Sequence, residues 1–257
     1  SHCLSVIENI VNPLLTEYAG EVDIHMLELG EKENYEALMS IETQLNSPTD
    51  NRDLPVVVIG DRALIGEEEN ELHLQKYVEE GLDGDGIPFY PFENLDPDKL
   101  IVSTPNPDAN DIEVCSIDDP ENCIIDHPIY LAYFYQTGCK ECARSEVDLE
   151  YLKKKYTNLI VSEFNIYDQA GLANWMAERV GRADDLHTPA VFIGDHAWIG
   201  EGEIRPQTIE PVLQTLEESG SPAFWREYNP EEGGQSLMDR FQKMGWVAVL
   251  LAGLVDG

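Results

Sequence analysis

One stretch of this sequence occurs twice. Leu54–Glu67 reads LPVVVIGDRALIGE and Thr188–Glu201 reads TPAVFIGDHAWIGE, with nine of fourteen positions identical, no gap, and an offset of 134 residues. Such repetition constrains a fold strongly, because each copy must be one supersecondary unit. Within the unit, a β-branched run (Val56–Ile59; Val191–Ile193) reads as a buried strand, Gly-Asp as a tight turn, and the next apolar run as the returning strand. The proline ahead of each first strand has no N–H to give a ladder, so it belongs at a strand start or edge. Whether that X-Pro bond is cis or trans is left open by the sequence.

The flanks repeat as well. Before the second hairpin come a strand at Ile129–Tyr135, a helix at Glu141–Tyr156 and a strand at Leu159–Ile166. A helix capped by Asp168 follows, ending near Gly181, and Pro206–Ser219 forms a last helix after the hairpin. The order is β-α-β-α-β-β-α. The first copy shows the same order without its opening strand: a helix over Val6–Tyr18 that Pro13 should kink or whose start it should move, a strand at Val22–Leu29, a helix at Lys32–Leu45, and Glu68–Glu80 after the hairpin. The expected class is α/β, with a central mixed sheet flanked by helices in each copy.

Four segments follow. Residues 1–81 are the first unit and residues 129–220 the second; residues 221–257 form a tail that ends in an apolar run. Residues 82–128 are a connector rich in Pro, Gly and Asp. In the connector, Cys115 and Cys123 enclose a short loop; they form a disulfide in an oxidising compartment and are two free thiols otherwise. The last apolar run, Gly245–Val255 (GWVAVLLAGLV), is shorter than the ~20 residues that span a bilayer, so as it stands it is too short to cross.

Charge removes whole classes of partner. The chain carries 50 Asp and Glu against 16 Lys and Arg, a formal net charge of −34, so a basic groove for nucleic acid is excluded. Most of the acid lies in residues 1–128, which hold 30 acids and 5 bases, against 15 and 8 in residues 129–220.

Cys139-Lys140-Glu141-Cys142 sits where a strand ends and a helix begins, the setting in which C-x-x-C carries redox chemistry. Exposed N–H groups and the helix dipole stabilise a thiolate on Cys139, and Cys142 lies one turn down the same helix, within reach of a mixed disulfide. The competing use, half of a zinc site, needs a second ligand pair, and the histidines supply no metal-ligand spacing. No metal site is therefore expected.

With those residues in view, the chain resembles the thioredoxin superfamily: a strand, C-x-x-C at a helix start, and a cis-proline ahead of an antiparallel hairpin. The resemblance spans residues 129–220. It implies Cys139 as nucleophile, Cys142 as resolving cysteine and Thr188-Pro189 as the cis-proline pair, with protein thiols or disulfides as substrates and no cofactor beyond the disulfide itself. Gly138 and Lys140-Glu141 replace the Trp and the Gly-Pro of thioredoxin proper and are closer to glutaredoxin-like and membrane-fused relatives, so substrate and potential do not carry over. The first copy, with Leu54-Pro55, looks like a second thioredoxin-like domain. Cys3 then aligns with Cys142 as the resolving half of a second redox site, whose other cysteine would precede Ser1.

The Gly245–Gly257 run resembles the first transmembrane helix of the DsbD/CcdA membrane electron transporters. It implies that residues 221–257 are a juxtamembrane segment and the start of a transmembrane helix, with a membrane electron-transfer module in the same native chain; disulfide use puts the soluble domains on the extracytoplasmic face. The expected function is a membrane-tethered thiol–disulfide oxidoreductase serving exported proteins or cytochrome c apoprotein thiols. A binding module of another class stays open beside it. Acidic tandem thioredoxin folds resemble calcium-buffering calsequestrins, and Asp83-Gly84-Asp85-Gly86 is a weak Ca²⁺ ligand cluster.

Overall fold

The computed structural model describes residues 2–48, 51–87, 92, 100 and 125–230. The first copy comprises α1 (His2–Val6), α2 (Asn12–Glu17), α3 (Lys32–Gln44), the hairpin β1 (Val56–Ile59) and β2 (Arg62–Ile65), and α4 (Gly66–Leu82). The second comprises β3 (Ile129–Tyr135), α5 (Lys140–Lys155), β4 (Leu159–Asn165), α6 (Ala170–Arg179), the hairpin β5 (Ala190–Ile193) and β6 (His196–Ile199), and α7 (Pro206–Leu216).

The second copy is a four-stranded mixed sheet in the order β4-β3-β5-β6. β3 pairs in parallel with β4 over seven residues and antiparallel with β5. Side chains alternate along β3 to opposite faces, as a period of two requires. Ile129, Leu131 and Tyr133 pack with Leu149 and Leu152 of α5 and with Ile209 and Leu213 of α7. Ala132 and Phe134 pack with Leu172, Ala173 and Met176 of α6. The α/β class, and in this copy the mixed sheet flanked by helices, are as expected from the sequence; the first copy shows only the antiparallel pair β1-β2 among the described residues.

The two hairpins share more than letters. Each pairs four residues in the same register, Val56↔Ile65 through Ile59↔Arg62 and Ala190↔Ile199 through Ile193↔His196. In both, a glycine N–H closes the base of the hairpin on the proline carbonyl: Gly66 to Pro55 at 2.9 Å and Gly200 to Pro189 at 2.8 Å. A glutamate four residues past the return strand's last isoleucine accepts that isoleucine's N–H, Glu69 from Ile65 at 2.8 Å and Glu203 from Ile199 at 3.0 Å. Both X-Pro bonds, Leu54-Pro55 and Thr188-Pro189, are cis.

Three expectations need correction. The strand over Val22–Leu29 does not form; the segment holds only single bridge positions, Val22, paired with Ala19, and Leu27. A strand exists only through its neighbour. β4 is held by β3, whereas among the described residues β1 and β2 pair only with each other. The helix expected over Val6–Tyr18 starts at His2 and passes Pro13 without breaking, because Ile7–Val11 widens into a π turn with Asn12 N–H bonded to the Ile7 carbonyl. That wider turn makes room for a ring that crowds the preceding turn and has no N–H to offer. Asp168 does not cap α6, whose first residue is Ala170 with Gln169 ahead of it; the Asp168 N–H instead closes a turn on the Asn165 carbonyl.

α3 faces away from its own copy. Its Tyr35 is fully buried in the core shared by β3, α5 and α7, and stacks on Tyr151 at 4.6 Å between ring centroids. The remaining elements of the first copy make a separate small core of Val6, Val11, Leu14, Leu64, Leu74 and Val78. No helix among the described residues is long and apolar enough to cross a membrane. Gly245–Val255, Cys115 and Cys123 lie outside the described residues.

Candidate active site

Cys139 and Cys142 form a disulfide at the entry to α5. The chain reaches it from β3 through Gln136-Thr137-Gly138. The Cys139 N–H bonds the Gln136 carbonyl at 3.1 Å, and Gly138 takes a φ of 80° that a side chain would strain. Cys139 is the N-cap residue of α5, and its Sγ accepts the Cys142 N–H at 3.1 Å. That N–H is one of the helix's unpaired donors, so the sulfur sits where negative charge is favoured. The two sulfurs differ in access: Cys139 is half-buried, while Cys142 is 2% exposed. The Tyr133 hydroxyl, buried beneath them, donates to the Cys142 carbonyl at 3.3 Å.

Thr188 and Pro189 are brought alongside. β5 pairs with the end of β3, Phe134 opposite Ala190, which sets Pro189 at the level of Tyr135 and Gln136. The Thr188 hydroxyl donates to Gln136 Oε1 at 3.5 Å. Asn165, at the end of β4, donates to the Thr137 hydroxyl at 3.2 Å, so the ends of three strands frame the disulfide.

The other expected site residues are not assembled in this way. Cys3 is a free thiol at the second position of α1, and burial pushes it above the ordinary thiol range, which disfavours the reactive thiolate. Leu54 and Pro55 are half-buried, where Pro189 is buried. Asp83 and Asp85 lie at the end of α4, and among the described residues no group of three or more His, Cys, Asp or Glu is placed to hold a metal ion.

A buried polar cluster behind α5 escaped sequence reasoning. Arg144 and Asp148, both fully buried on α5, meet Arg52, Tyr35 and Glu42 from the first copy. Asp148 accepts both ends of the Arg52 guanidinium, at 2.8 and 3.0 Å, and the Tyr35 hydroxyl, with Arg144 Nε 3.5 Å away. Arg144 forms a two-pronged pair with Glu42, both contacts at 2.9 Å. Burial works against the Arg52 charge, but its bonds to Asp148, together with the charges of Asp148, Tyr35 and Glu42, leave the guanidinium held above its ordinary range. A signal existed: Ser145 and Asp148 share the helical stripe of Leu149 and Leu152, and two polar residues on a core-facing stripe call for polar partners.

Glu201 joins this cluster to the disulfide's surroundings. It follows Gly200 and is 6% exposed; its Oε1 accepts the Arg52 N–H at 3.1 Å, while Oε2 has no partner. Burial pushes its carboxyl above the ordinary range, and the charges of Asp53 and Glu141 push it further. Glu141 lies between the two cysteines.

No family model matches the chain, and neither a curated protein nor a solved structure matches it. The functional reading therefore rests on the site itself.

Proposed function

We propose that the chain is a thiol–disulfide oxidoreductase built of two tandem thioredoxin-like domains, with the dithiol of the second as its active centre. The observation that carries this reading is the asymmetric pair at the start of α5: a reachable Cys139 capping the helix and a buried Cys142 one turn below, beside the Thr188-Pro189 loop.

The chemistry follows from that asymmetry. In the reduced protein the Cys139 thiolate attacks one sulfur of a substrate disulfide, forming a mixed disulfide and releasing the other substrate sulfur as a thiolate that takes up a proton. Cys142 loses its proton and attacks the Cys139 sulfur, which expels the second substrate thiol. The substrate gains two electrons and the protein is left with the Cys139–Cys142 disulfide. Run backwards, the same steps oxidise a dithiol, and the direction depends on the relative reduction potentials. Substrates in this reading are exported proteins or cytochrome c apoprotein thiols, reached by domains outside a membrane, with electrons exchanged through a membrane module of the same native chain.

Cys142→Ser tests it directly. The variant should accumulate a mixed disulfide through Cys139 with a disulfide-containing peptide, visible as added mass, and Cys139→Ser should abolish exchange. Full exchange activity in Cys139→Ser would refute the assignment.

A further inference from the structure

The second copy's dithiol helix is tied to its proline loop by a residue that belongs to the first copy. Arg52 donates from its guanidinium to both carboxylate oxygens of Asp148 on α5, and to the carbonyls of Glu201 at 3.4 Å and Ile204 at 3.3 Å. Its backbone N–H adds the bond to Glu201 Oε1. Asp148 lies six residues beyond Cys142 on the same helix. Glu201 is next to Gly200, whose N–H holds the Pro189 carbonyl. One side chain thus spans from the helix that carries the dithiol to the segment that closes the Thr188-Pro189 hairpin.

Simple adhesion between the two copies would not need this arrangement. Apolar residues of similar volume serve that purpose without desolvating ions, and a buried pair is often no more stable than its apolar replacement. What a forked, charge-assisted contact adds is direction: Arg52 satisfies Asp148 in one geometry, and its remaining reach to two carbonyls sets where that geometry falls. The rest of the cluster locks the acceptor. Tyr35 and Arg144 both meet Asp148 at Oδ1, and Glu42 holds Arg144.

We infer that Arg52 is a positioning residue for the Cys139–Cys142 site. The first copy, through Arg52, fixes α5 relative to the Pro189 loop and so tunes how readily the dithiol exchanges. This rests on the thiol–disulfide reading above. It gives the first copy a part in the chemistry that requires no thiol of its own.

The test uses the full chain, its Arg52→Lys variant and its Arg52→Met variant, each equilibrated with reduced and oxidised glutathione. Two quantities are read: the equilibrium constant for the Cys139–Cys142 disulfide, and the pH dependence of Cys139 alkylation. Lys keeps the charge and loses the fork; Met keeps the bulk and loses both. The expected result is a shift of roughly threefold or more in the constant for Arg52→Lys, about 15 mV for a two-electron couple. A larger shift is expected for Arg52→Met, with its alkylation profile displaced to higher pH. Should Arg52→Met not fold, the Lys variant carries the test. If the parent exchanges and the folded variants match it in both constant and profile, Arg52 is structural glue and the inference is overturned. If the parent dithiol does not exchange with glutathione at all, the redox reading itself has failed, whatever the variants do.

Discussion

The two copies of the hairpin are nearly the same in sequence and register, yet they live in different sheets. β5 is buried at all four residues; β1 is half-buried at all four. The difference is not in the hairpins, which close on their prolines with the same bonds, but in what lies beside them. β5 has β3 on its outer edge, and β1 has nothing described there. The same letters therefore build the same local turn in both places, while burial, and with it stability, is set by the neighbouring strand. Chemistry divides the same way: the copy whose hairpin is enclosed is the one whose strand β3 delivers a cysteine pair to a helix start.

The comparison can be sharpened with identical residues at equivalent positions. Ile59 and Ile193 end the first strand of each hairpin, Ile193 being 1% exposed and Ile59 half-buried. Ile193→Ala should cost ~2–5 kcal/mol, as for a fully enclosed isoleucine, and Ile59→Ala about half of that or less. Chemical denaturation followed by circular dichroism checks the pair. Equal losses would mean that the edge of β1 is as enclosed as that of β5, and the contrast would collapse.

A smaller effect tests the contact between the copies. The Glu201 carboxyl is raised by burial and by Asp53 and Glu141. The folded state then holds its proton over a pH range in which the unfolded chain has released it. Stability that is present below the ordinary glutamate range is accordingly lost as pH rises through that window. Glu201→Gln keeps an oxygen for the Arg52 N–H and removes the charge. Melting curves should show a gain of at most a few degrees at pH 7 and little change at pH 4. A loss at pH 7 would mean that the ionised carboxylate is needed where it sits.

Much of this was legible beforehand, for identifiable reasons. The hairpins could be read because turn chemistry is local: Gly-Asp between β-branched runs fixes the reversal wherever it occurs. The dithiol could be read because a strand-to-helix junction places Cys139 at a helix start by spacing alone. Val22–Leu29 misled because a run with strand character carries no information about whether a partner exists. Pro13 was legible as a disturbance but not as a π turn, since a widened turn and a break satisfy the proline equally well. The Arg52–Asp148–Arg144 cluster was hidden because its members are 92 and 96 residues apart along the chain from Arg52, and only α5 showed half of the pattern. Long-range polar pairs leave one-sided traces, a Ser145 or an Asp148 on a stripe that should be apolar.

The most direct test of the account is a redox titration of the full chain in glutathione buffers, with each cysteine mapped by mass after alkylation. Cys139 and Cys142 should move together through a single two-electron transition, with Cys139 alkylated first on reduction, while Cys3 stays outside that transition. A Cys139–Cys142 pair that never titrates, or a transition that pairs Cys3 with either cysteine, would contradict it.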